Sequence, residues 1–202
     1  MQEIKQQTLA KPVEYAGSGL HSGKKVTLRL LPAPVNTGIV FVRTDLAGRP
    51  EIRSNPANVS STVKATTLST DGAEVFTIEH LMAALSMTGI DNCLIEMDSP
   101  EPPVADGSAG VFARLILQAG RRQQEAARKV YAVDRAFAVH QDERYICILP
   151  YDGYRISFTS INPHPLLGTQ YYDIELTEES FLQEIAPART VAFMHEVEQL
   201  KK

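Results

Sequence analysis

Glu79 and His80 are adjacent in a stretch, Thr77–Gly89, that holds no other ionisable side chain. A neutral imidazole is a good zinc ligand, and a carboxylate beside an activated water is a general base. The chemistry suggested is metal-assisted hydrolysis. One histidine cannot hold zinc, so two readings stay open at this point. The pair is either solvated, with a first-turn glutamate gaining about 0.3–1 kcal/mol from the helix dipole, or it is catalytic. On a wheel of 3.6 residues per turn, Ile78, Leu81, Met82 and Leu85 cluster within roughly 60°, while Glu79 and His80 fall at roughly 100° and 200°. The far face carries Ala83, Ala84 and Met87 where a solvated face carries lysines and glutamates. That pattern favours a covered helix whose first turn reaches a cleft.

The elements that must position this pair can be read along the chain. Val26–Leu31 alternates and is closed by Pro32 and Pro34; Gly38–Arg43 follows, and both predict strands. Segments 51–59 and 62–69 predict weaker strands or loop. Gly89 is placed to end the Glu-His helix in a left-handed cap, and CLIEM (93–97) predicts a short buried strand. SPEPPVADGSAG (99–110) predicts rigid loop, with Asp106-Gly107 as its turn. Ser108 is the expected N-cap of a helix over about 109–119, closed by Gly120. RRQQEAARK (121–129) is polar and predicts a change of module. Strands are expected in VYAVDRAFAV, YICILP, YRISFTSI and near Gln170–Leu176. Thr177 predicts a plain cap for a short helix, because Ser180 stands where a capping box needs glutamate or glutamine. APARTVAFMHEVEQLKK predicts loop running into a helix.

Composition narrows the class. With 202 residues, 44% hydrophobic and 22% charged, the chain has the balance of a soluble globular protein of one large or two small domains. A net charge of −4 without a basic stripe argues against a nucleic-acid partner. No apolar run approaches the roughly 18 residues of a membrane span. Cys93 and Cys147 lie in apolar runs and predict buried thiols of a reducing compartment, so a cytoplasmic location is expected.

Four stretches then carry a family likeness in order: KQQTLAKPVEYAGSGLHSGKKVTLRLLPAPVNTGIVFVRTDL, FTIEHLMAALSMTGIDNCLIEMDSPEPPVADGSAGVF, NPHP and ARTVAFMHEVEQL. Together they resemble the UDP-3-O-acyl-N-acetylglucosamine deacetylases of lipid A biosynthesis. The resemblance implies a zinc (Zn2+) amidase that removes the N-acetyl group from an acylated UDP-sugar, a small-molecule substrate. It implies an α+β fold of two sheet-on-helix modules in tandem, sandwiches like domain 2 of ribosomal protein S5, with the active site between them. The modules are expected over 1–126 and 127–202, the second incomplete, and the protein as a monomer. By the same likeness Glu79 is the general base, His80 a zinc ligand, and Thr190 the hydroxyl that stabilises the oxyanion. Phe193 lines the acyl-chain passage and His21 stands at the edge of the site. Asp106 supports the metal helix through hydrogen bonds.

Each assignment has a plainer counterpart. Thr190 could cap a helix, Phe193 could be core, and His21 and Asp106 could be turn residues. His140, His164 and His195 are expected to be structural, and a metal pair of His195 with Glu198 is disfavoured. The family's other zinc ligands, in a His-x-x-x-Asp arrangement after ARTVAF, have no counterpart, since no His-x-x-x-Asp occurs in the chain. A catalytic zinc normally has three protein ligands. The chain is therefore expected to be an N-terminal portion of such a deacetylase, with weak zinc binding, little or no deacetylation, and apolar surface left open on its second module. The alternative is a non-catalytic relative that binds acyl-sugar nucleotides.

Overall fold

The computed structural model describes residues 4–191. They divide into two units: residues 4–128 with 182–191, and residues 129–181. The architecture is mixed α+β and rich in strands, in accord with the class expected from sequence.

The first unit runs β1 (Lys5–Leu9), β2 (Val13–Ser18), β3 (Lys25–Pro32), β4 (Ile39–Arg43), β5 (Glu51–Arg53), β6 (Val59–Ser61), β7 (Thr67–Thr70), β8 (Ala73–Phe76), α1 (Glu79–Met87), β9 (Cys93–Met97), α2 (Gly110–Ala119) and β10 (Arg121–Ala127). Its main sheet has the order β2-β3-β9-β4-β5. All pairs are antiparallel except β4 and β9, which run parallel and so need the long crossover through β5–β8 and α1. Alternation decides which way β3 and β9 face. Leu28 pairs with Met97 and Leu30 with Ile95 on the buried side, and Arg29 pairs with Glu96 on the other. On that outer face Glu96 takes Arg29 at 2.7 Å and also meets Arg49. β4 is buried along both faces, which explains its unbroken apolar run Ile39–Val42.

Helices α1 and α2 pack on each other. Leu81, Ala84 and Leu85 are the buried residues of α1, and Phe112, Ala113 and Ile116 those at the centre of α2. The Phe112 ring meets Tyr15 of β2 edge-on at 6.3 Å. Each fully buried leucine, isoleucine or phenylalanine contributes about 1.5–3 kcal/mol. Gly89 (φ 74°) and Gly120 (φ 72°) end the two helices in the left-handed region, as their positions predicted. The start of α2 differs from expectation. Ala109 occupies the cap position without a side-chain bond, while the Ser108 hydroxyl accepts from Gly110 N and donates to Asp106.

The polar stretch after Gly120 is mostly strand, and the two units part at its end, between Arg128 and Lys129. Arg121–Ala127 is β10, paired antiparallel with β1. Its polarity hid it, because a buried amide network does there what apolar side chains do elsewhere. Asn92 accepts from Gly38 N (2.8 Å) and donates to both Gln6 and Gln124 (2.8 Å each). Gln6 also bonds Asn36 and Ala127, and Gln124 bonds the Ala33 carbonyl. β1 and β10 are thereby tied to the loops flanking β3, β4 and β9.

The second unit holds two separate hairpins: β11 (Phe137–Gln141) with β12 (Arg144–Ile148), and β13 (Arg155–Ile161) with β14 (Thr169–Glu175). Only the end of VYAVDRAFAV is strand, since the chain bends at Arg135. The short helix α3 (Glu178–Ser180) begins in a full capping box after all. Ser180 N donates to the Thr177 hydroxyl at 3.1 Å, and Thr177 N to the Ser180 hydroxyl at 2.9 Å, so serine supplies the return acceptor assigned above only to glutamate or glutamine. The hairpins leave much apolar surface open, as expected: Phe158 is 63% exposed and Ile161 80%. Cys147, on β12, is exposed with them, which corrects the reading of both cysteines as buried. Its hairpin has solvent on faces that the apolar run had suggested were covered.

Two outcomes follow from this packing. Asn92→Ala strands the Gly38 amide and the Gln124 side-chain oxygen and leaves the Gln6 oxygen with Asn36 N alone, so the first unit should lose about 2–4 kcal/mol in urea unfolding monitored by near-ultraviolet circular dichroism. Burial pushes the Cys93 thiol up to about 12. In native protein a thiol-disulfide reagent at pH 8 should therefore titrate Cys147 rapidly and Cys93 only on unfolding.

Candidate active site

Glu79 is the first residue of α1, and its approach is constrained. Thr77, just before the helix, has φ 57°, a conformation that costs a β-branched residue energy and persists only where the surroundings enforce it. Ile78 stands at the cap without a side-chain bond. Glu79 is exposed and accepts from Thr66 N at 2.7 Å, so the β6–β7 connection fixes the direction of its carboxylate. His80 beside it is half-buried. Met82, predicted to lie in the core stripe, is half-buried as well. With Ile78, Val59, Leu68 and Pro56 it lines an open, mainly apolar cavity of about 270 Å³ that has Glu79 on its rim.

A loop over 99–108 joins the other expected residues to this helix. Phe76 N, three residues before Glu79, donates to the Pro100 carbonyl at 3.0 Å, and Val104 N donates to Ser18 at 2.8 Å. Between them Glu101, fully buried, accepts from His21 N and Ser22 N. Asp106 is exposed and bonds within its own turn: its Oδ1 accepts from the Ser108 hydroxyl at 2.7 Å and Ser108 N at 3.1 Å. The neighbouring Gly107 carbonyl accepts from Thr190 N at 3.0 Å, and Ser108 forms a bridge with Arg189. Thr190 thus belongs to the first unit, anchored beside Asp106. His21, Asp106, Thr190 and the start of α1 all attach to one ten-residue loop. Phe193, His195 and Glu198 lie outside the described residues.

Sequence reasoning missed Glu101 and Thr66. The first was hidden as one acid among prolines in what looked like a rigid loop. The second acts through its backbone amide, which no side-chain motif can reveal. The donor set for zinc is thin. Among the described residues no three histidine, cysteine, aspartate or glutamate side chains gather closely enough to hold a metal ion, so His80 and its neighbours do not by themselves fit a zinc site. No helix among them is long and apolar enough to cross a membrane.

A carboxylate and an imidazole at a helix start, fastened through one loop to a threonine-bearing segment, define a candidate hydrolytic site on an α+β scaffold. Comparison with known proteins makes this specific. Residues 6–202 match the family described as LpxC, UDP-3-O-acyl N-acetylglycosamine deacetylase. Relatives named UDP-3-O-acyl-N-acetylglucosamine deacetylase include those of Saccharophagus degradans (44% identical over 200 residues), Syntrophotalea carbinolica (46% over 198) and Myxococcus xanthus (46% over 197). Each alignment covers 98% of this chain and 66%, 64% and 63% of the respective relative, so the chain spans just under two thirds of their length. The chain belongs to the UDP-3-O-acyl-N-acetylglucosamine deacetylase family.

The site's electrostatics can be checked through Asp106. The Ser108 hydroxyl and, less strongly, its amide outweigh a small burial effect and hold the Asp106 carboxyl below its ordinary value. A carboxyl depressed on folding adds stability above its unfolded pKa and loses it as pH falls through the folded one. Carbon-detected titration should place Asp106 below the ordinary aspartate midpoint, and Ser108→Ala should move that midpoint upward.

Proposed function

We propose that this chain carries part of the catalytic apparatus of a zinc-dependent deacetylase that removes the N-acetyl group from UDP-3-O-acyl-N-acetylglucosamine, in the cytoplasm, for lipid A biosynthesis. The observation that carries the reading is the 42–46% identity to deacetylases over 98% of the chain, with Glu79, His80 and Thr190 all present. Amide hydrolysis needs a base for the attacking water, a donor for the oxyanion and a proton for the departing amine. Glu79 is suited to the first role. The Thr66 amide orients one of its oxygens and leaves the other to take the water's proton. The Thr190 hydroxyl is assigned to the second, donating to the oxygen that gains charge as water adds to the acetyl carbon. The C–N bond then breaks, acetate leaves and the sugar amine takes up a proton; no described residue is assigned to deliver it. His80 offers one nitrogen to zinc. Because the described donors do not complete a zinc site, no step is derived through the metal, and the chain alone is expected to bind zinc weakly and to deacetylate little.

The test is a chimera joining this chain to the last third of the Myxococcus xanthus relative, incubated with substrate labelled in the acetyl group. Labelled acetate should be released, and Glu79→Gln should lower the rate about 10²–10⁴-fold. A folded chimera that binds substrate yet releases no acetate would replace this reading with the non-catalytic binding protein. One tightly held zinc per unmodified chain would refute the expected weakness of its metal site.

A further inference from the structure

We propose that Glu101 is a positioning residue, whose buried carboxylate holds the turn that carries His21 against the segment entering the Glu79–His80 helix. The inference rests on the deacetylase reading only for what His21 does once it is held there.

Glu101 is 0% exposed, and among the described residues no cation pairs with it. A buried carboxylate without a cation is costly unless hydrogen bonds replace its hydration. Here the replacement is the backbone of one turn. Oε1 accepts from His21 N at 3.0 Å, and Oε2 accepts from Ser22 N at 2.8 Å with a longer approach from His21 N at 3.2 Å. Successive amides facing one anion form the concavity that elsewhere binds phosphate; in this chain a side chain fills it. The turn is closed at its base by Gly19 N donating to the Lys24 carbonyl at 2.9 Å. It presses so closely on the carboxylate that a Cβ at Gly19 would overlap both Glu101 and the Ser22 hydroxyl. Residue 19 must therefore be glycine for this contact to exist, irrespective of its backbone angles.

The other end of the brace is equally defined. The Pro100 carbonyl, one residue before Glu101, accepts from Phe76 N, and Thr77 and Ile78 alone separate Phe76 from Glu79. Pro102 and Pro103, both buried, stiffen the chain immediately after it. A displacement of the carboxylate would thus be felt at His21 on one side and at the strained Thr77 entry on the other. Burial raises the Glu101 carboxyl, but the His21 and Ser22 amides and the Ser22 hydroxyl outweigh it, leaving the group below its ordinary value and ionised at neutral pH. Protonation converts one acceptor oxygen into a donor facing an amide, so the turn is released only in acid.

The test is amide NMR on the unmodified chain. Lowering the pH should shift His21 and Ser22 together, with a midpoint below the ordinary glutamate value, and the same transition should appear at Glu79 and His80 while Ile95 stays fixed. His21 and Ser22 amides that do not titrate, or a transition absent from Glu79 and His80, would overturn the proposal. Glu101→Gln keeps one acceptor and sets an NH2 group against the other amide. It should shift the amides over 18–24 and 77–80, whereas the core control Ile95→Val should not. Changes spread evenly through the unit would mean a merely structural role; if the variant does not fold, the titration decides. In the chimera, Glu101→Gln should lower kcat roughly 10- to 100-fold with little change in KM. A chimera inactive before substitution would count against the deacetylase reading and leave the NMR titration of the His21 turn standing as the test of Glu101.

Discussion

A carboxylate removed from water and answered by backbone amides rather than by a cation constrains everything around it. Glu101 is such a group, with His21 N and Ser22 N as its hydrogen-bond partners. Their geometry requires the Gly19 turn, which in turn sets where β2 ends and β3 begins. The loop containing Glu101 is pinned at Phe76 on one side and at Ser18 on the other. Three segments distant in sequence therefore meet around one ionised group, and the start of α1, with Glu79 and His80, is bounded by that meeting. Neutral hydrogen bonds at this point would be weaker by about half, and a solvated acid would leave the turn free to move.

The same economy of polar groups appears at the opposite margin of the first unit. Asn92, Gln6 and Gln124 form a buried amide network, where patterning rules expect apolar contacts. A half-satisfied network of this kind is worse than an apolar core, and a satisfied one fixes a single register. That explains why β1 and β10 carry the sequences KQQTL and RRQQEAA and still pair as strands.

These features mark the limit of what could be read from sequence. The apolar strands β3, β4 and β9, helices α1 and α2, and their glycine caps were legible because period and punctuation act locally. β1 and β10 were not, since polar side chains held in long-range amide bonds look the same as solvated ones until their partners are known. The candidate site divides in the same way. Glu79, His80 and Thr190 stood out because their side chains are chemically distinctive and their motifs match a family. Glu101 and the Thr66 amide were invisible because each acts through contacts separated by 13 to 80 residues. The capping box at Thr177 shows a subtler miss: a serine hydroxyl reaches back as an acceptor where a rule written for longer side chains assigned none.

The two units also differ in how they are stabilised. The first buries leucines, isoleucines and phenylalanines between a five-stranded sheet and two helices, and burial of this extent supports cooperative folding. The second contains hairpins of two strands each, and such a hairpin is marginal in water without a covered face. The Arg155–Asp173 pair across β13 and β14, whose hydrogen bonds draw the Asp173 carboxyl down to about 2, lies at the surface where solvent screens it, so it cannot substitute for a core. Phe158, Tyr171 and Ile161 stay in solvent beside it. Local stability should accordingly be lowest in the hairpins. The loop around Glu101 and the entry to α1 belong to the well-packed unit, where the precision demanded of a hydrolytic base can be maintained.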